Sequence, residues 1–89
     1  MRRNETLRQH IKQAVIEWVK TQYHVEEAIL GLVEPDEDEA ERWLVDFAIP
    51  TIPYWQVAEV WVEDGAIASI NDLGEGVPPD GMVWPWTAK

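Results

Sequence analysis

Apolar residues recur at Leu7, Ile11, Ala14, Val15, Trp18 and Val19, a spacing of three and four that stacks them on one face of a helix. The pattern predicts a helix from about Glu5 to Thr21, with Ile11 and Trp18 on the buried side. Asn4 or Thr6 is placed to cap its start, and Thr6 with Gln9 has the capping-box spacing.

From Tyr23 to Val33 the pattern fits a strand through Ala28, Leu30 and Leu32, and a helix through Val25, Ile29 and Leu32; Gly31 favours the strand. Glu41 to Ile49 is equally double-edged. Trp43, Val45, Phe47 and Ile49 alternate, whereas Ala40, Trp43, Leu44 and Phe47 have helical spacing. The acidic run at 36–39 would favour a helix start, so a second helix over 36–48 is the alternative. The aromatic and β-branched content of 43–49 decides for a strand. Pro50 and Pro53 end it, since neither can donate to a ladder.

Trp55–Val62 and Ala66–Asn71 flank Glu63-Asp64-Gly65, the strongest hairpin signal in the chain. A two-residue turn at Asp64-Gly65 would set Val60 against Ser69 and Glu59 against Ile70, mixing polar and apolar residues on both faces. A three-residue loop instead pairs Val62 with Ala66, Val60 with Ala68 and Ala58 with Ile70, leaving one uniformly apolar face. That register is preferred, and it puts Trp61 opposite Ile67 on the second face. Residues 71–81 are rich in Gly, Pro and Asp and read as a loop; Met82–Trp86 is expected as a short edge segment.

These elements define an α+β fold, with an N-terminal helix packed on a four-stranded antiparallel meander in a cystatin-like arrangement. Residues 1–89 form one domain, because neither a repeat nor a linker divides them. Six tryptophans give so short a chain large side chains with which to fill a core.

Charge narrows the function classes. The formal net charge is −10, and the basic residues concentrate in Arg2, Arg3, Arg8, Lys12 and Lys20. Between Trp43 and Ala88 there is no lysine or arginine. Such a surface repels phosphate backbones and disfavours direct nucleic-acid binding outside the N-terminal face. The absence of cysteine excludes disulfides, thiolate metal sites and cysteine nucleophiles. No run approaches the ~20 apolar residues of a membrane span, and Met1–Thr21 lacks a signal peptide's apolar segment, so a cytoplasmic location is expected.

Glu34, Asp36, Glu37, Asp38, Glu39 and Glu41 crowd into eight residues, but the EF-hand pattern would need a ligand at Ala40 and glycine at Glu41. This acidic loop reads as a solvated, mobile turn. Gly74-Glu75-Gly76 lacks the third glycine and the helix of a phosphate loop. His10, on the polar side of the helix, and His24, at its exit, read as surface histidines. Ser69, the only serine, stands in no nucleophile motif. Glu59, mid-strand beside Trp61, marks the solvent face unless apolar surroundings raise its pKa. Trp84 and Trp86 read equally well as a docking strip or as a plug for the core.

Val60-Trp61-Val62-Glu63-Asp64-Gly65-Ala66-Ile67 and Gly76-Val77-Pro78 are similar to segments of the XisI family of element-excision controlling factors. The lysine and tryptophan that family carries after the hairpin glycine are Ala66 and Ala68 here, and the stretch before Gly76 is too short for its intervening helix. No function is carried over.

The expectation is therefore a non-enzymatic protein–protein interaction domain without cofactor or metal. Its candidate surface comprises Trp61, Ile67, Glu59, Trp84 and Trp86, and self-association is one form of it. Two alternatives are an acidic inhibitor or nucleic-acid mimic that binds a basic partner, and a small-ligand pocket between helix and sheet.

Overall fold

A computed structural model of the chain describes residues 2–86. Helix α1 runs Arg2–Tyr23, followed by β1 (Ile29–Pro35), β2 (Arg42–Ala48), β3 (Gln56–Glu63) and β4 (Ala66–Glu75). The strands pair antiparallel in the order β1-β2-β3-β4, and α1 packs across one face. This is the helix-on-meander arrangement expected from the pattern. Among the described residues no helix is long and apolar enough to cross a membrane.

The helix is longer than its apolar stripe suggests, so Asn4 and Thr6 lie within it and do not cap it. Its C-terminus closes in a Schellman motif: the Val25 N–H donates to the Lys20 carbonyl at 3.2 Å while His24 takes a left-handed φ of 55°. Tyr23 therefore ends the helix, and β1 starts six residues later than the Tyr23–Val33 reading placed it.

Residues 42–48 are a strand, which overturns the helical alternative for 36–48. As a central strand, β2 has a backbone partner on each side and buries Trp43, Val45 and Phe47 against the helix. Ile11, Val15, Val19, Val45, Phe47 and Val60 are fully buried and fill the helix–sheet interface. Trp18 is only half-buried and meets Phe47 edge-on at 6.2 Å.

Two bulges correct the expected registers. In β1, Gly31 and Leu32 together oppose Asp46, so Leu30 packs into the core while Leu32 turns to the other side. The β3–β4 hairpin has a two-residue turn, not a three-residue loop: Glu63 pairs with Ala66, and Asp64 and Gly65 have φ of 53° and 77°. Both central residues at positive φ define a type I′ turn. Val62 then faces Ile67, and a bulge at Ala68 restores Val60 to Ile70. One extra residue thus lets two isoleucines, Ile67 and Ile70, reach the core where the three-residue register offers Ala66, Ala68 and a single isoleucine, Ile70. The larger apolar burial favours it, at ~0.8 kcal/mol per CH₂ group fully removed from water.

Strand β4 continues to Glu75 through what the composition marked as a loop, with a second bulge at Leu73. Beyond it, Val77–Trp86 forms no strand. This tail turns at Pro79–Met82 and crosses one end of the sheet on the side away from the helix.

Candidate functional site

With α1 on one face, alternation along the strands sends Arg42, Leu44 and Asp46 of β2 and Val57, Glu59 and Trp61 of β3 to the other. Every one of these side chains is half-buried. Leu32 of β1 joins them, 49% exposed.

Arg42 organises the upper part of this open face. Its Nε donates to Glu59 Oε2 at 2.6 Å and its Nη1 to Asp36 Oδ2 at 2.5 Å. Asn71 Nδ2 donates to the remaining Glu59 oxygen at 3.1 Å. Partial burial pushes the Glu59 carboxyl up, but hydrogen bonds from Arg42, Asn71 and the Trp61 indole more than offset it, leaving its pKa below the ordinary value. The Asp38 amide, and then Arg42, hold Asp36 low as well. Glu59 is therefore an ion-pair partner, and no raised-pKa acid arises there.

The acidic loop is also better fastened than its charge suggests. Asp36 accepts from the Asp38 amide at 2.9 Å, the Asp36 N–H bonds the Arg42 carbonyl at 2.8 Å, and the Arg42 N–H bonds the Glu39 carbonyl at 3.1 Å. Glu34, Glu37, Asp38, Glu39 and Glu41 stay exposed around this fastened turn.

Lower on the face lies a groove of about 390 Å³ between the sheet and the tail, lined by Leu32, Leu44, Val57, Val77, Pro78 and Pro79 with the carboxyls of Glu34, Asp46 and Asp80. None of its lining residues is basic. Burial raises the Asp46 pKa, and the neighbouring Glu34 charge adds to the effect; the Leu32 amide pulls the other way.

Pro79 closes the end of the groove and is buried. It lies so close to Gly31 that a Cβ there would sit 2.8 Å from Pro79 Cγ and 3.2 Å from the Trp55 ring. Gly31 is thus the notch that seats the tail. Further along, Trp55, Trp84 and Trp86 stack edge-on with centroids 6.0 and 5.8 Å apart, and Trp86 Nε1 donates to Glu27 at 3.1 Å. Trp84 and Trp86 are gathered at this end of the molecule, away from Trp61.

The structure also separates Trp61 from Ile67. Trp61 pairs with Ser69 on the open face, whereas Ile67 faces Val62 and packs into the core beneath the helix. The expected Trp61/Ile67 pair does not form. Its premise, a three-residue loop, fails at the two-residue Asp64-Gly65 turn, which sets Ile67 opposite Val62.

Two residues that organise this face escaped the sequence reading, although each left a signal. Arg42 is the lone cation between Lys20 and Lys89, directly after the acidic run. Asp46 is the one acid within an otherwise apolar alternation from Trp43 to Ile49. His10 and His24 are exposed. Behind the sheet, the Tyr23 hydroxyl donates to Asp72 and accepts from Gln56 Nε2 at 2.9 Å, tying the helix end to β3 and β4. Burial, then the Asp72 bond, raises the Tyr23 pKa.

Compared with models of known protein families, with curated proteins and with solved structures, the chain matches none.

Proposed function

We propose that this protein is a non-enzymatic protein–protein interaction module and that the open face of its sheet is the docking surface. The observation that carries this reading is the apolar strip of Leu32, Leu44 and Val57 on the face away from the helix, bordered by the Arg42 network and by exposed acids. An apolar patch rimmed by polar groups is the usual form of a protein contact site. The ion pairs on one side fix the geometry of the rim, and the tail on the other side limits how far the contact extends.

The experiment is capture of partners from a lysate of the source cells by wild type and by Leu44→Asp, with circular dichroism to confirm that both are folded. Leu44→Asp should lose the proteins that wild type retains, because it adds a desolvated charge at the middle of the contact. Equal capture by both proteins would place the contact elsewhere. Wild type that retains nothing at low or high salt would defeat the reading.

A further inference from the structure

We infer that the groove beside the tail receives a lysine or arginine side chain from a basic segment of the docked protein, which names the partner chemistry of the docking face proposed above and rests on that proposal. The groove combines two properties that few ligands satisfy together. Its walls are aliphatic, from Leu32, Leu44, Val57 and Val77, while Asp46, Glu34 and Asp80 supply its polar lining.

An anion is excluded by repulsion. A wholly apolar side chain would strip water from Asp46 and give its charge nothing in return. A hydrated divalent cation needs several oxygen ligands at close range, and the groove offers mostly carbon; the described residues contain no cluster able to hold a metal ion. Lysine and arginine suit both requirements, because their stems lie along apolar surface while the charged head reaches a carboxylate.

Among the described residues no cation pairs with these carboxylates, and Asp46 accepts a hydrogen bond from the Leu32 amide. The cation on the sheet, Arg42, has Nε and Nη1 committed to Glu59 and Asp36. Asp46 and Glu34 therefore repel each other across a partly desolvated space, and an incoming cation relieves both terms. The net charge of −10 steers such a segment toward the domain. At about 390 Å³ the groove is near the lower end of ligand-site volumes, which suits an inserted side chain better than a large cofactor.

The test is titration of the ¹⁵N-labelled protein with capped pentapeptides carrying one central lysine, arginine or acetyl-lysine between valines, and with spermidine. The lysine and arginine peptides should shift the amides of Leu32, Leu44, Asp46 and Val57. Acetylation of the lysine, or Asp46→Asn, should weaken binding by about tenfold. A Glu37→Gln, Asp38→Asn double variant, which removes two charges outside the groove, should bind as wild type does. The inference is overturned if the acetylated peptide binds equally, if the shifts centre on residues 36–39, or if millimolar peptide shifts nothing. Spermidine binding as tightly as the lysine peptide would overturn it too, by assigning the groove to free amines. Its failure is separable from failure of the docking face: partner capture lost in Leu44→Asp but kept in Asp46→Asn, with no peptide binding, leaves the face standing and removes the cation site. Capture kept in Leu44→Asp removes the face.

Discussion

On the helix side of the sheet, Val45, Phe47, Ala58 and Val60 have no exposed surface; on the other side the same two strands present Arg42, Leu44, Asp46, Val57, Glu59 and Trp61, all half-buried. The backbone is shared; alternation sends side chains to both faces, and the helix covers one of them while the tail crosses an end of the other. The first face is held by close packing without charge, and its energetics depend on filled volume. The second is held by Arg42 with Asp36 and Glu59 and by a tail seated in a glycine notch. Stability is concentrated on one face, which leaves the other free to carry unmatched charge and an open groove.

Truncation on the packed side should have the largest effect. Phe47 is fully buried between Trp18 and Tyr23, at centroid distances of 6.2 and 6.0 Å. Phe47→Ala should cost about 3–5 kcal/mol, against the ~5–15 kcal/mol total typical of a domain. Urea denaturation would show it as a midpoint shift of that size or as loss of the folded baseline. Trp18→Ala should cost less, since Trp18 keeps part of its ring in water. A Phe47→Ala protein as stable as wild type would mean the two faces are not distinguished by packing.

Gly31→Ala attacks the second face at its tail. The added methyl meets Pro79 and Trp55 at sub-contact distances, so the substitution should cost about 1–3 kcal/mol, as overpacking does. It should also expose Trp55, with a red shift of its fluorescence. An unchanged spectrum would show that the tail is not seated at Gly31.

Gly65→Ala touches neither face directly. Its φ of 77° is strained for alanine, although a Cβ there would meet nothing. The expected loss is about 1 kcal/mol and purely conformational. A change within error in thermal melts would show that the turn does not hold positive φ in solution.

The smallest effects are the most discriminating, because two sets of carboxyls on the open face respond to pH in opposite directions. Asp46 has a raised folded pKa from burial and Glu34. Its ionisation therefore costs stability in full above that folded pKa, and the penalty vanishes below the unfolded value. Asp46→Asn should raise Tm at neutral pH and have no effect in acid; solvent screening at a half-buried site keeps the gain small. Asp36 and Glu59 have depressed folded pKa values. They contribute stability above the unfolded value, and it is lost as pH falls through the folded one. Glu59→Gln should thus lower Tm at neutral pH and converge on wild type in acid. Parallel Tm profiles for the two variants would sink the assignment of opposite signs.

Much of the architecture was legible in the chain. The stripe from Leu7 to Val19 is long enough to identify a helix, and the alternation through Trp43, Val45 and Phe47, with β-branched and aromatic neighbours, identified a strand against a competing helical period. The Asp64-Gly65 pair located the hairpin but not its register, because a bulge changes the parity of every later residue and leaves no mark in periodicity. Ile67 lies ahead of that bulge, and the two-residue turn sets it opposite Val62 beneath the helix, where the three-residue loop would place it beside Trp61.

The candidate site was legible only in part. Glu59 and the acidic loop were visible as charges, yet their pairing with Arg42 depends on β1, β2 and β3 being brought side by side.

What the sequence determined by itself is everything that depends on local spacing: the helix, the alternating strands, the turn, and a charge balance that repels anions. What only the tertiary structure decided is which residues meet across chain separations that spacing does not encode. Arg42 meets Glu59 17 residues away, Pro79 meets Gly31, and Asp46 faces Glu34 in a groove that no cation among the described residues lines. The first meeting crosses the regular β2–β3 ladder, the second depends on the notch at Gly31, and the third crosses the β1–β2 pair beside the bulge in β1, so each needs segments distant in sequence to be brought side by side.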